Sequence, residues 1–195
     1  MNILDAIINR KSIRKFLSKD VDRDIINKII EAGILAPSPK NRQPWKFIVV
    51  TNENKSEMIE TIKNGFEKAG NGLLKDFVNF NPSAWNTVKT METAPVTIFV
   101  INTENNFSLN QTPEEKLFEM ANIQSIGASI ENMILAAMEY GIGSLWICDI
   151  FFAYRDICKW LNTDRQIVAA VSLGYPDENP SARPRKEMNI SVEWK

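Results

Sequence analysis

From Pro113 to Tyr140 the chain holds one apolar stripe, with Ile126, Ile130, Met133, Ile134, Ala137 and Met138 at the three- and four-residue spacing of a helical face. A helix of that length is a central element with both ends engaged by other structure. Shorter units surround it. Asn2 to Asn9 puts Ile3, Leu4, Ile7 and Ile8 on one face, with Asn2 and Asp5 at its start, which predicts a short packed helix. A second helix is expected from about Asp22 to Leu35, carrying Ile25, Ile26, Ile29, Ile30 and Ile34 and ended by Pro37 and Pro39. Asn54 with Glu57 forms a capping pair for a third, which presents Met58, Ile59, Ile62 and Phe66.

Compact aromatic and β-branched runs read as buried strands at Trp45 to Thr51, Pro95 to Ile101, Gly143 to Cys148 and Ile167 to Leu173, with a short helix near Tyr154 to Leu161 between the last two. From Gly70 to Thr93 the pattern loosens, as Asn, Gly and Pro interrupt Phe77, Phe80 and Trp85; this stretch reads as a partly helical lid or a covering loop. No internal repeat or low-complexity linker divides the 195 residues, so 1–195 are read as one domain.

Composition removes several function classes. With 44% apolar and 24% charged residues the chain is of ordinary globular type. A net charge of −1 and a pI near 5.7 give no global attraction to nucleic acid or anionic lipid. Runs such as Phe47 to Val50 and Ile98 to Ile101 fall far short of the roughly 20 apolar residues of a membrane helix. Met1 to Asp5 lacks the basic start and apolar stretch of a secretory signal, so a cytoplasmic location is expected, with no membrane or nucleic-acid partner. Cys148 and Cys158 are too few for a disulfide framework and read as core thiols. The chain has no histidine. That removes Ser-His-Asp and Cys-His schemes and the commonest metal ligand; no metal site is expected, and any enzymatic chemistry falls to a bound cofactor.

Gly141-Ile-Gly143-Ser-Leu-Trp146 begins like a dinucleotide fingerprint, but it has Trp at the third glycine position and follows a helix, so a Rossmann unit is not supported. Asp22, Asp24, Glu114 and Glu115 stand beside helix starts, where negative charge favours the helix dipole, and read as solvated helix ends. Four of the six residues from Arg10 to Lys15 are basic. Cations are favoured at a helix C-terminus, which is a sufficient structural reason for them. Ser12 between Arg10 and Arg14 supports a second reading, in which guanidinium forks and a hydroxyl spaced along an extended chain converge on a phosphate or polyol. Arg183-Pro-Arg185, after the turn-like Gly174-Tyr-Pro-Asp177, is a second basic pair stiffened by proline. Two such clusters suit an anion of about two charges, as in a phosphate monoester. The loop from Ala36 to Trp45 is explained as turn chemistry by its Pro and Asn; its Ser38, Asn41 and Gln43 also offer groups suited to a ring edge of alternating donors and acceptors, such as the pyrimidine edge of a flavin.

Taken in order, Arg10-Lys-Ser-Ile-Arg14-Lys-Phe16, Ala36-Pro-Ser-Pro-Lys-Asn41-Arg-Gln43-Pro-Trp45, Ala94-Pro95, Leu135-Ala-Ala137 before Gly141-Ile-Gly143-Ser-Leu-Trp146, and Gly174-Tyr-Pro176 before Arg183-Pro-Arg185 resemble the motifs of the nitroreductase family over nearly the whole chain. The resemblance implies an α+β fold with a mixed, largely antiparallel central sheet wrapped by helices. It also implies a homodimer with two FMN sites at its interface. The implied reaction is hydride transfer from NADH or NADPH through flavin N5 to a small oxidised acceptor (a nitroaromatic, a quinone, free flavin or another metabolite) by a ping-pong mechanism. On the matching positions, Arg10, Lys11, Ser12 and Arg14 would touch the phosphate, ribityl chain and pyrimidine end of FMN, and Arg183 and Arg185 would complete the phosphate site. Pro37, Ser38, Pro39 and Asn41, with Gln43 in the same loop, would come from the other subunit. Backbone amides near Cys148 and Asp149 would face the N5 and O4 edge, at a place where the family often has glycine. Arg14 or Lys11 would stabilise the negative charge that reduced flavin carries at N1. No protein nucleophile or general base is required, so no catalytic side chain is named. The alternative reading is an FMN storage or sensor protein without turnover.

Overall fold

The structure, a computed structural model, describes residues 2–71, 82–106, 108 and 110–195. Four strands form one sheet in the order β1 (Trp45–Val50), β2 (Val96–Asn106), β4 (Arg165–Gly174), β3 (Gly143–Ile147), and every neighbouring pair is antiparallel. The parallel contribution comes from an isolated bridge between Ser12 and Ser144 at the β3 edge. The sheet is therefore largely antiparallel, as expected.

Side-chain alternation along β2 explains the layers. Ile98 and Val100 face a core built by α2 (Arg23–Ile34) and α5 (Pro113–Glu139), through Ile26, Ile29, Ile126, Ile130 and Met133. Phe99 and Ile101 face the opposite core, built by α3 (Asn52–Gly70), α4 (Pro82–Thr93) and α6 (Tyr154–Trp160), through Met58, Ile62, Phe66, Val88, Met91 and Ile157. With helices on both faces, β2 is continuously buried from Val96 to Asn102. The long helix α5 is started by a full capping box between Thr112 and Glu115, so that glutamate is a helix cap. Asp22 caps α2 through the Asp24 N–H.

Several boundaries differ from the sequence reading. β2 runs on to Asn106 because its polar end is satisfied inside the fold: the Asn102 Nδ2 donates to Asn105 Oδ1 and Gln166 Oε1 at 3.1 and 3.0 Å. Helix α3 starts at Asn52 after Thr51, not at an Asn54–Glu57 box, and the Asn52 amide donates to Asp20 Oδ1 at that entry. Of the loosely patterned stretch from Gly70 to Thr93, residues 82–93 are helical, while Phe77 and Phe80 lie outside the described residues. Trp85 of α4 packs edge-on against Phe66, with ring centroids 5.6 Å apart.

The largest departure is α1 (Ile3–Asn9). Asn2 caps it through the Asp5 N–H at 2.9 Å as expected, and the helix touches α5, but its apolar face is not buried: Ile3, Leu4, Ile7 and Ile8 are 70%, 65%, 52% and 72% exposed, and Ala6 alone is buried. Helical spacing reports an apolar face without saying which molecule covers it.

Helix α3 approaches the turn that follows β3, a short 3-10 element from Asp149 to Ala153, very closely at Gly65. A Cβ there would stand 2.7 Å from the Ala153 Cα and 2.5 Å from its Cβ. Gly65→Ala is expected to destabilise the fold by about 1–2 kcal/mol, since overpacking outweighs the gain in helix propensity. A urea titration checks this by a lowered midpoint at unchanged slope.

Candidate functional site

The basic segment from Arg10 to Phe16 is bridged to the edge of β3 at Ser144. The Ile13 N–H donates to the Ser144 carbonyl at 2.9 Å, and Phe16 pairs with Pro176. Gly143 permits the approach, because a Cβ at that position would meet Ile13 Cγ1 at 2.7 Å. The chain returning from β4 then runs antiparallel to the same segment. Leu17 N–H donates to Tyr175 O, and Asp177 N–H to Lys15 O, each at 2.9 Å. One Glu178 carboxylate oxygen accepts from the N–H groups of Arg14 and Lys15. The Lys11 ammonium donates to Asn179 Oδ1 at 3.0 Å, and the Lys19 ammonium stands 3.9 Å over the Tyr175 ring.

This pairing of the two chain ends builds a cavity of about 530 Å³ lined by Arg10, Lys11, Ser12, Arg14, Ser181, Arg183 and Arg185, with Ile7 and Ile8 of α1 at its side. Arginine keeps its charge at any working pH, and no carboxylate lines the cavity among the described residues. Arg14 Nη1 also donates to the Ser12 carbonyl at 3.3 Å. The two clusters, more than a hundred and sixty residues apart in the chain, thus converge on one concave, strongly positive space that suits a multiply charged anion.

The other site residues lie elsewhere in the chain's own fold. Pro37, Ser38, Pro39, Asn41 and Gln43 do not line the arginine cavity. Their loop, with a 3-10 turn from Pro39 to Asn41, is held in a left-handed path at Lys40, Asn41 and Gln43, with φ of 55°, 54° and 51°. Ser38 Oγ accepts from the Gln43 N–H at 2.9 Å, and Gln43 Nε2 donates to Asn41 Oδ1 at 3.2 Å, which offsets that strain. Arg42 stacks over Phe118 of α5 at 4.7 Å.

Cys148 and Asp149 stand at the far end of β3, about 13 Å beyond Ser144 at the usual rise of a strand. Asp149 Oδ2 accepts from Thr87 Oγ1 of α4 at 2.8 Å. Contrary to the core-thiol reading, Cys148 is exposed, because it sits where β3 leaves the sheet; Cys158 is half-buried on α6. Partial desolvation and then the neighbouring Asp149 carboxylate push the Cys148 thiol above its ordinary value. A raised value leaves less thiolate at neutral pH, so alkylation of Cys148 is expected to be slower than that of a free cysteine and to accelerate as pH rises. Peptide mapping after timed iodoacetamide treatment checks this, with Asp149→Asn expected to speed the reaction.

Glu178, Asn179 and Ser181 are site residues that the sequence reading passed over. In the sequence they are a polar stretch after a turn; only the pairing of the chain ends places them beside the basic strand.

The three-layer α+β architecture carries at the β3 edge an arginine-lined cavity whose charge suits a phosphate-bearing ligand. Residues 7–175 match the sequence model of the nitroreductase family, and the chain belongs to that family. A Methanothermobacter thermautotrophicus protein, provisionally named NADH dehydrogenase/NAD(P)H nitroreductase, is 29% identical over 187 residues, covering 94% of this chain and 82% of its own. A BluB-like flavoprotein from Clostridium difficile superposes with a TM-score of 0.83 at 27% identity, covering 100% of this chain and 99% of that one. The FMN-dependent nitroreductase NfnB of Mycobacterium smegmatis, solved with NADPH, shares the fold with a TM-score of 0.78 at 18% identity, covering 98% of this chain and 97% of that one.

Proposed function

We propose that the chain is an FMN-dependent oxidoreductase that passes hydride from NADH or NADPH to a small oxidised acceptor in two successive half-reactions at one flavin face. The observation that carries this reading is the cavity where Arg10, Arg14, Arg183 and Arg185 converge with Ser12, with no opposing carboxylate among the described residues. Its four guanidinium groups and hydroxyl fit a phosphate monoester, and Cys148, near which this reading places the ring edge, is exposed at the end of β3. FMN bound there supplies the hydride chemistry.

The protein's own groups bind and orient. Arg10, Arg183 and Arg185 hold the phosphate, Ser12 meets the polyol chain, and Arg14 supplies positive charge near the ring's pyrimidine end. The backbone at Cys148 and Asp149 faces the reacting edge. Pro37, Ser38, Pro39, Asn41 and Gln43 approach from a second subunit.

A homodimer is supported by the apolar surface beside the cavity. Besides the face of α1, Leu117, Phe118 and Met120 on the first half of α5 and Ile190 and Trp194 near the C-terminus are exposed apolar side chains. Such exposure favours a protein partner, and Ile7 and Ile8 lie at the cavity wall itself.

Purified protein is expected to be yellow, or to become so on incubation with FMN, and to release FMN on denaturation. Chromatography of the released cofactor tests this. Recovery of FAD, or of no flavin after incubation with excess FMN, would overturn the proposal.

A further inference from the structure

Alternation along the extended segment from Arg10 to Arg14 sorts its side chains onto two faces. Arg10, Ser12 and Arg14 line the arginine cavity, whereas Ile13, with Asn9 at the end of α1, lines a separate space of about 350 Å³ that also touches Gly141, Glu178 and Asn179. Lys11 belongs by position to the second face, yet it lines both spaces. Its ammonium is committed to Asn179 Oδ1 at 3.0 Å.

The place of Asn179 in the chain gives that bond its meaning. From Tyr175 to Glu178 the returning segment is tied to the basic strand at Leu17, Lys15 and Arg14. Asn179 makes the last of these ties, and from Pro180 onward the chain crosses to the front of the strand and lines the arginine cavity as far as Arg185. Arg183 and Arg185 are exposed, and among the described residues no hydrogen bond or salt bridge of theirs is recorded. Their position relative to Arg10 and Arg14 therefore depends on where the preceding chain is anchored.

On the reading of this cavity as an FMN phosphate site, we infer that Lys11 and Asn179 form a latch that brings the C-terminal arginines to the N-terminal ones. Lys11 is thus a positioning residue and not a direct phosphate ligand. A lysine that touched the phosphate would contribute its own charge whatever Asn179 did. A lysine that acts through Asn179 contributes nothing once Asn179 is gone.

A double-mutant cycle separates the two cases. FMN affinity is measured by flavin fluorescence titration for the unsubstituted protein, Lys11→Met, Asn179→Ala and the double variant. Each single substitution is expected to weaken binding roughly three- to tenfold, in line with loss of one charge-assisted hydrogen bond at an exposed position. The double variant is expected to bind no more weakly than either single one. Asn179→Gln, which keeps the amide acceptor, is expected to recover part of the loss. A second readout needs no flavin: both single variants should expose the segment after Pro180 to limited trypsin cleavage at Arg185 or Lys186 faster than in the unsubstituted apoprotein.

Multiplicative losses in the double variant, or an Asn179→Ala protein with unchanged affinity, would overturn the latch. So would unchanged cleavage rates. Failure of the unsubstituted protein to bind FMN would instead overturn the functional reading on which the latch rests.

Discussion

The doubly substituted protein Arg183→Ala/Arg185→Ala is expected to bind FMN about 150-fold more weakly than the unsubstituted chain while remaining as stable. A hydrogen bond to a charged group contributes about 1.5–3 kcal/mol. Both arginines are exposed, so the lower end applies to each, giving about 3 kcal/mol together. The segment that carries them is exposed from Ser181 onward and contributes nothing to either buried core, so unfolding in urea should shift by less than about 0.5 kcal/mol. Lys186→Ala is the control, since Lys186 is equally exposed, next in sequence and absent from the cavity wall. Its affinity should be unchanged. If Lys186→Ala weakens FMN as much as the double substitution does, the arginines act as diffuse charge and form no phosphate site.

The second large effect concerns the division of the site between subunits. Arg10→Ala with Arg185→Ala removes cavity arginines, whereas Ser38→Ala with Asn41→Gly strips the loop of its polar side chains; glycine keeps the left-handed backbone that position 41 requires. Neither homodimer should then hold FMN well. In a mixed dimer with twofold symmetry, one site receives both damaged halves and the other receives both intact halves. Random reassortment from equal amounts makes half of the dimers mixed, each with one good site, so about a quarter of the original FMN capacity should return. Mixed dimers seen by mass spectrometry without recovered binding would mean that Ser38 and Asn41 do not belong to a site shared across the interface.

The sequence and the fold agree best where local physics decides. The apolar stripe from Ile126 to Ala137 is the core face of α5, with Met138 half-buried beyond it, and Asn2 and Asp22 are caps because capping is settled within one turn. The arginine clusters were visible as residue types, and Ser12 with the two-residue spacing pointed to one face of an extended strand. Other features were illegible for a common reason, which is that they depend on what lies opposite. The spacing of the α1 apolar residues predicts a packed face, yet that face is exposed among the described residues. Cys148 has the composition of a buried strand end but falls where β3 leaves the sheet. Glu178 and Asn179 gained their roles only when β4 returned the chain to the Arg10 strand. The site residues at 37–43 were identified from their motif, and the single chain leaves them outside the cavity, so their part rests on the dimer experiment.

The most direct test of the central claim is anaerobic mixing of the FMN-loaded protein with NADH and, separately, with NADPH, followed by addition of a quinone or nitroaromatic acceptor. The flavin's visible absorbance is expected to bleach with at least one donor and to return when the acceptor is added. Flavin that stays oxidised with both donors, in protein shown to hold FMN, would contradict an oxidoreductase and leave an FMN-binding protein without turnover.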